Sequence, residues 1–249
     1  MNSVIYVMWL RQIKRFWRSK TRMFSSLAQP LLFLLALGFG LGPVFEKAGG
    51  GNYIQFLSPG IVAMTILFSS MFIGIEVIWD RQFGFLKETL VAPVSRYKIM
   101  IGRTLGGATI AMLQGIIVLI LSMLIGFRIS NYWMIPLFLL FTFLISVLFT
   151  AFGTAVASKL DDMQAFPIII NFLIMPLFFL SGALFPVDSL PKVLATVIKI
   201  NPLSYGVDGI RGALTGVFHL GLFVDFLVLA VLSLIMLTIG SYLFSKIEI

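Results

Sequence analysis

The chain has 249 residues, of which 59% are hydrophobic and only 11% charged, against about 45–50% apolar and about 25% charged in an ordinary soluble domain. So few charged side chains cannot cover that much Phe, Leu, Ile and Val in water, which excludes a soluble fold and makes lipid the solvent. The 18 Lys and Arg exceed the 10 Asp and Glu, for a net charge of +8, and there is no cysteine, which excludes disulfide scaffolds, thiolate metal sites and cysteine nucleophiles.

Residues 1–22 predict an amphipathic interfacial helix. At 100° per residue Ile5, Tyr6, Trp9, Leu10, Ile13, Phe16 and Trp17 fill one arc, and Arg11, Lys14, Arg15, Arg18 and Arg22 the opposite one. The apolar arc suits the headgroup boundary and the bases suit anionic lipid. The helix is either a topology anchor or a lever joining a partner protein to the first span. No small-residue cleavage site follows a short apolar core, so the N-terminus is expected to be retained.

Six long apolar stretches follow, giving predicted spans at 23–45, 57–79, 104–126, 134–157, 165–185 and 222–245, each near the ~20 residues that cross a bilayer. They are apolar on every face and do not alternate, so they are helices and not barrel strands. Six spans put both termini on one side. Thirteen of the bases flank that side, and Lys47, Arg128, Lys192, Lys199 and Arg211 the other, which makes the termini cytoplasmic and the chain a multi-pass protein of the cell membrane. Bases placed at span edges also argue against a nucleic-acid partner. Glu76, one turn before Trp79, is the clearest membrane-buried acid: an arginine-paired or snorkelling carboxylate, or a proton relay. Gly102, Gly106, Gly107 and Gly115 give the third span a small-residue face for close helix packing.

Between the second and third spans, 81–92 predict a short helix. Phe83, Leu86 and Leu90 recur at i, i+3 and i+7 beside Phe85, Lys87 and Glu88, a ridge that would dock in a partner's groove or rest on lipid. Pro93 stops it, and Ser95 is placed to cap the third span. On the outer side, 188–215 predict two helices too short to span. Asp188 or Ser189 caps the first, with Pro191 in its first turn and Leu190, Val193, Leu194, Val197 and Ile198 as its stripe. Asn201-Pro202 breaks the chain, and the second carries Tyr205 with Asp208 and Arg211 close enough to pair. The two are re-entrant or interfacial, forming the mouth of a pathway or a static cap.

The chain has no G-x-x-x-x-G-K-[ST] run for ATP phosphates, and its single histidine, His219, makes neither a zinc site nor a catalytic triad alone. No catalytic residue, metal or cofactor is assigned to it, and it is not expected to be an enzyme by itself. An ion-coupled secondary transporter using Glu76, Asp208 and Arg211 is the alternative that the charges allow.

The run Trp79–Arg96 followed by Gly102-Arg103-Thr104-Leu105-Gly106-Gly107, together with Asn201-Pro202-Leu203-Ser204-Tyr205-Gly206-Val207-Asp208-Gly209-Ile210-Arg211, resembles the membrane subunits of type-2 ABC transporters. The order matches over nearly the whole chain, and the nearest branch is the daunorubicin-resistance and nodulation-factor exporter permeases. The resemblance implies an all-α, six-span homodimer driven by two copies of a separate ATPase that binds ATP and Mg. It implies a coupling helix near Gln82–Leu90, a second ATPase contact through the N-terminal helix, and a re-entrant outer pair before the last span. An amphipathic drug, lipid or lipid-linked molecule is the expected substrate.

Overall fold

The computed structural model describes residues 3–49, 51–91, 93–160, 162–186 and 191–247. Asp188, Ser189 and Leu190 of the predicted outer helix lie outside the described residues. Within them the chain is helical, without strands: α1 (Ser3–Arg18), α2 (Lys20–Lys47), α3 (Tyr53–Ile73), α4 (Ile75–Gln82), α5 (Phe85–Val91), α6 (Arg96–Ile125), α7 (Ile135–Ala157), α8 (Ala165–Phe179), α9 (Lys192–Ile200), α10 (Pro202–Thr215) and α11 (Leu222–Ser245). Five helical stretches, with α3 and α4 counted as one, are long and apolar enough to cross a membrane. The stretch predicted as the span 165–185 folds differently. Its helix α8 ends after 15 residues, a rise of about 22 Å, and the chain then turns through buried Ser181, Ala183 and Leu184.

Side-chain chemistry sets several boundaries. Asn52 begins α3 by accepting hydrogen bonds from the amides of Ile54 and Gln55, and Asn201 begins α10 by accepting from Leu203, with Pro202 in the first turn. Ser95 does precede α6, but its hydroxyl makes no cap bond. Pro191 sits one place before α9 and not inside its first turn.

The bundle is built around α3, α6 and α7, with α11 and α10 on α7 and α1 on α6. Two glycine contacts permit this. A Cβ on Gly74, where α3 gives way to α4, would lie 2.3 Å from the carbonyl oxygen of Gly153, and one on Gly153 would lie 2.5 Å from that of Met71. The two helices therefore cross backbone to backbone, closer than any side chain permits. On α6, a Cβ at Gly102 would meet the Met8 Cβ at 2.7 Å, and one at Gly106 the Gln12 Cβ at 2.6 Å. Gly102 and Gly106 are thus the seat of the N-terminal helix, whereas Gly107 faces Thr150 of α7 and Ile73 of α3, and Gly115 faces Ile66 of α3. On α1 the buried line is Met8, Gln12 and Phe16, at i, i+4 and i+8. That line is rotated from the predicted apolar arc, for Tyr6 and Trp17 are left exposed and the polar Gln12 is taken in. By contrast α2, α8 and α11 present broad apolar faces outward, including Leu32, Phe39, Phe172, Phe223 and Leu234.

Candidate functional site

The polar chemistry gathers at the two ends of the bundle. At the end that carries the termini, α4 places Glu76 and Asp80 one turn apart, both nearly inaccessible at 2% and 1% exposure. Three elements bring arginines to them. From α1, Arg11 donates to Asp80 through both terminal nitrogens at 2.9 and 3.1 Å, and Arg15 donates to Asp80 at 3.1 Å. From α6, the buried Arg103 donates to Asp80 at 2.7 Å. From the start of α2, Arg22 donates to Glu76 at 2.5 Å, while Arg15 stands 3.8 Å from its other oxygen. Four guanidiniums thus surround two carboxylates, leaving a local positive excess. Burial opposes the charge on Arg11, but the hydrogen bonds and attraction to Asp80 outweigh it and hold its pKa above the ordinary arginine value. The arrangement ties α1 to α4 and α6 by charge, and Trp9 adds a bond from its indole N–H to the Thr109 hydroxyl at 3.1 Å.

Glu76 is therefore arginine-paired. Asp80 and Arg103, the centre of the cluster, were not singled out by the sequence. The signal was available: Glu76 and Asp80 lie four apart, facing a stripe at 11, 15 and 22. The basic arc of α1 was expected to face lipid headgroups, yet Arg11 and Arg15 turn inward to these acids, and Arg18 remains exposed.

Below the cluster α4 ends at Gln82, and a turn at Phe83-Gly84 leads into α5. The predicted continuous helix over 81–92 is thus two helices, and its ridge is corrected as well. Phe83 and Phe85 are 68% and 52% exposed while Leu86 is wholly buried in the core, so Leu86 supports the fold and the two phenylalanines face out. Lys87 and Glu88 are exposed; the side chain of Leu90 lies outside the described residues. Phe85 borders a groove of about 670 Å³ whose other wall is α1, with Leu10, Arg11, Lys14 and Arg18. The groove is basic, and the exposed ring of Phe85 borders it.

At the opposite end α10 is buried along nearly its full length. Asn201 donates to the carbonyls of Leu177 and Leu180 at 2.6 and 2.7 Å, fastening α10 to the end of α8. Tyr205 donates to the carbonyl of Lys199 at 2.6 Å. Asp208 and Arg211 share a helix face, but among the described residues they do not form the expected ion pair. Asp208 accepts from the backbone N–H groups of His219 and Leu220 at 2.7–3.0 Å, and Arg211 donates to the carbonyl of Gly182 at 3.0 Å with its guanidinium 4.2 Å from the Phe56 ring centre. Asp208 and Arg211 thus knit loops to α10.

Residues 3–215 match the ABC-2 type transporter family. The chain is 32% identical to nodulation protein J of Rhizobium leguminosarum bv. trifolii over 193 residues, covering 76% of this chain and 72% of the relative. It is 29% identical to the putative transport permease ycf38 of Cyanophora paradoxa, covering 83% and 72%, and 26% identical to the inner membrane transport permease YadH of Escherichia coli K12, covering 90% and 87%. With most of its length inside the family's boundaries and permeases among its relatives, the chain belongs to the ABC-2 type transporter family.

Proposed function

We propose that the chain is the membrane subunit of an ATP-driven exporter, powered by two copies of a separate ATPase that binds ATP and Mg. The reading is supported above all by one juxtaposition: exposed Phe85 at the rim of a basic groove, with exposed Phe83 two residues before it in the chain, on elements tied by Asp80 into the bundle. A partner that seats an apolar knob and supplies acidic groups would bury both features. In this reading α5 and its preceding turn are the coupling element and α1 is a second contact. Because Asp80 joins α1, α4 and α6, a push on the docking surface reaches two spans at once.

The remaining parts follow from the same reading. The 15-residue α8 with the turn after it is the sixth crossing, and α9 and α10 form the re-entrant outer pair. Both termini are cytoplasmic. Two subunits associate through outward apolar faces; on α8 that face carries Asn171, an exposed amide that makes no hydrogen bond among the described residues and would find one against a second copy. The cargo is an amphipathic drug, lipid or lipid-linked molecule. The pairing of Glu76 with Arg22, and of Asp208 with backbone N–H groups, favours structural roles over the ion-coupled alternative.

The test is copurification of the full chain with the ATPase encoded beside it. Phe83→Asp with Phe85→Asp should lower recovery of the ATPase by at least about tenfold while leaving membrane insertion intact. Unchanged copurification, or unchanged ATP turnover on adding the permease, would remove the assignment.

A further inference from the structure

A cleft of about 430 Å³ lies between the α1–α2 junction, α3 and α6, a volume within the ~300–1,000 Å³ typical of small-molecule sites. Arg22 stands on one wall, beside the arginine cluster; Gln114 stands on another. Along α6, Gln114 is eleven residues beyond Arg103, about 16 Å of rise and half of the ~30 Å hydrocarbon core. The cleft therefore runs from the charged layer to the middle of the apolar layer. Phe68, Phe72 and Ile110 supply apolar walls.

Its polar groups have no business in lipid. Gln114 donates to the Ser26 hydroxyl at 2.8 Å and accepts from the Ser69 hydroxyl, a chain that ties α6 to α2 and α3. Ser25 and Gln29 line the same space and make no side-chain hydrogen bond among the described residues. An unpaired amide facing hydrocarbon costs several kcal/mol, so these two side chains suit an occupant that brings polar atoms of its own. The four arginines around two carboxylates at one end select the sign of that occupant's charge.

We propose that this cleft binds an amphipathic anion, with its acidic head beside Arg22, Ser25 and Gln29 and its apolar chain along Phe68, Phe72 and Ile110. That the bound molecule is cargo rests on the permease reading; the binding itself does not.

The absence of native cysteine makes the test direct. Ser25→Cys is the only thiol of the full chain, held in phosphatidylcholine nanodiscs without an ATPase, and Phe24→Cys on the outward side of α2 at the same depth is its control. Phosphatidylglycerol in the disc or added dodecyl phosphate should slow N-ethylmaleimide labelling of Ser25→Cys by about tenfold and leave Phe24→Cys unchanged. Protection by phosphatidylglycerol alone supports the site with a leaflet lipid as its ligand, and by dodecyl phosphate alone with a soluble amphiphile. Arg22→Gln should abolish the protection and Arg22→Lys retain it. Gln29→Leu, which touches no charge pair, should weaken it about fivefold. No protection by either anion, equal protection by neutral dodecyl maltoside, or full protection in both Arg22→Gln and Gln29→Leu overturns the proposal. Loss of ATPase copurification would instead overturn the permease reading and leave this result standing.

Discussion

The two ends of the bundle hold their charges in different ways. At the end with the termini, charge meets charge: side chains from α1, α2 and α6 converge on two acids of α4, with partners 23 to 69 residues apart. At the other end charge meets backbone: Asp208 binds two amides, Arg211 a carbonyl, and Asn201 two carbonyls. Backbone partners are fixed by the fold, so the second arrangement is a permanent fastening. Side-chain pairs can exchange, and with more arginines than carboxylates several pairings are available to the same acids. The first end therefore has alternative pairings open to it, and the second has one set of partners fixed by the backbone.

Breaking the hub should have the largest effect. Asp80→Asn leaves Arg103, which is only 2% exposed, without its counter-charge, and removal of one partner from a buried pair costs about 3–5 kcal/mol. Thermal unfolding of the purified chain in detergent should show it, and a variant as stable as the parent would mean that the cluster holds nothing together. At the other end Asn201→Ala loses two carbonyl contacts and the cap of α10, worth about 2–3 kcal/mol together. Salt sharpens the contrast. Raising ionic strength should lower the stability of the parent by loosening the pairs of Arg11, Arg15 and Arg22, each about one-third exposed, and it should not change the loss caused by Asn201→Ala.

The spans were legible because uninterrupted apolar length is a local property: α2, α6, α7 and α11 contain or closely follow the predicted ranges. The short α8 was not, since counting apolar residues does not reveal that a buried turn at Ser181 ends the helix at Phe179. The wheel on α1 found its amphipathic character but not its seat. Which arc is buried depends on Gly102 and Gly106 of α6, almost a hundred residues away, and that contact pulls Gln12 inward. Periodicity likewise placed Leu86 on an outward ridge, because a repeat assumes one continuous helix and the turn at Gly84 rotates α5 against α4. Asp80 escaped notice for the same reason as Arg103: each reads as an ordinary charge at a span edge until α1 is folded over both.

Gly106→Leu would test that seat at an intermediate level. A larger side chain must displace Gln12, which lies within 2.6 Å of a Cβ there, and overpacking of this kind costs about 1–3 kcal/mol. Stability should fall by that amount, and protease cleavage within α1 should become faster; an α1 as resistant as before would place its attachment in the charges alone.

The smallest change in stability is expected from Arg11→Gln, and it separates holding from coupling. Arg11 is one-third exposed and Asp80 keeps Arg15 and Arg103 when it is gone, so no carboxylate is stranded and the loss should stay below about 1 kcal/mol. Yet Arg11 also lines the groove beside Phe85 and, with Arg15, links that surface to the hub. If the groove receives the ATPase, Arg11→Gln should leave unfolding nearly unchanged while reducing the permease's effect on ATP turnover several-fold. A variant that keeps both would show that Arg11 has no part in coupling and serves only to fasten α1.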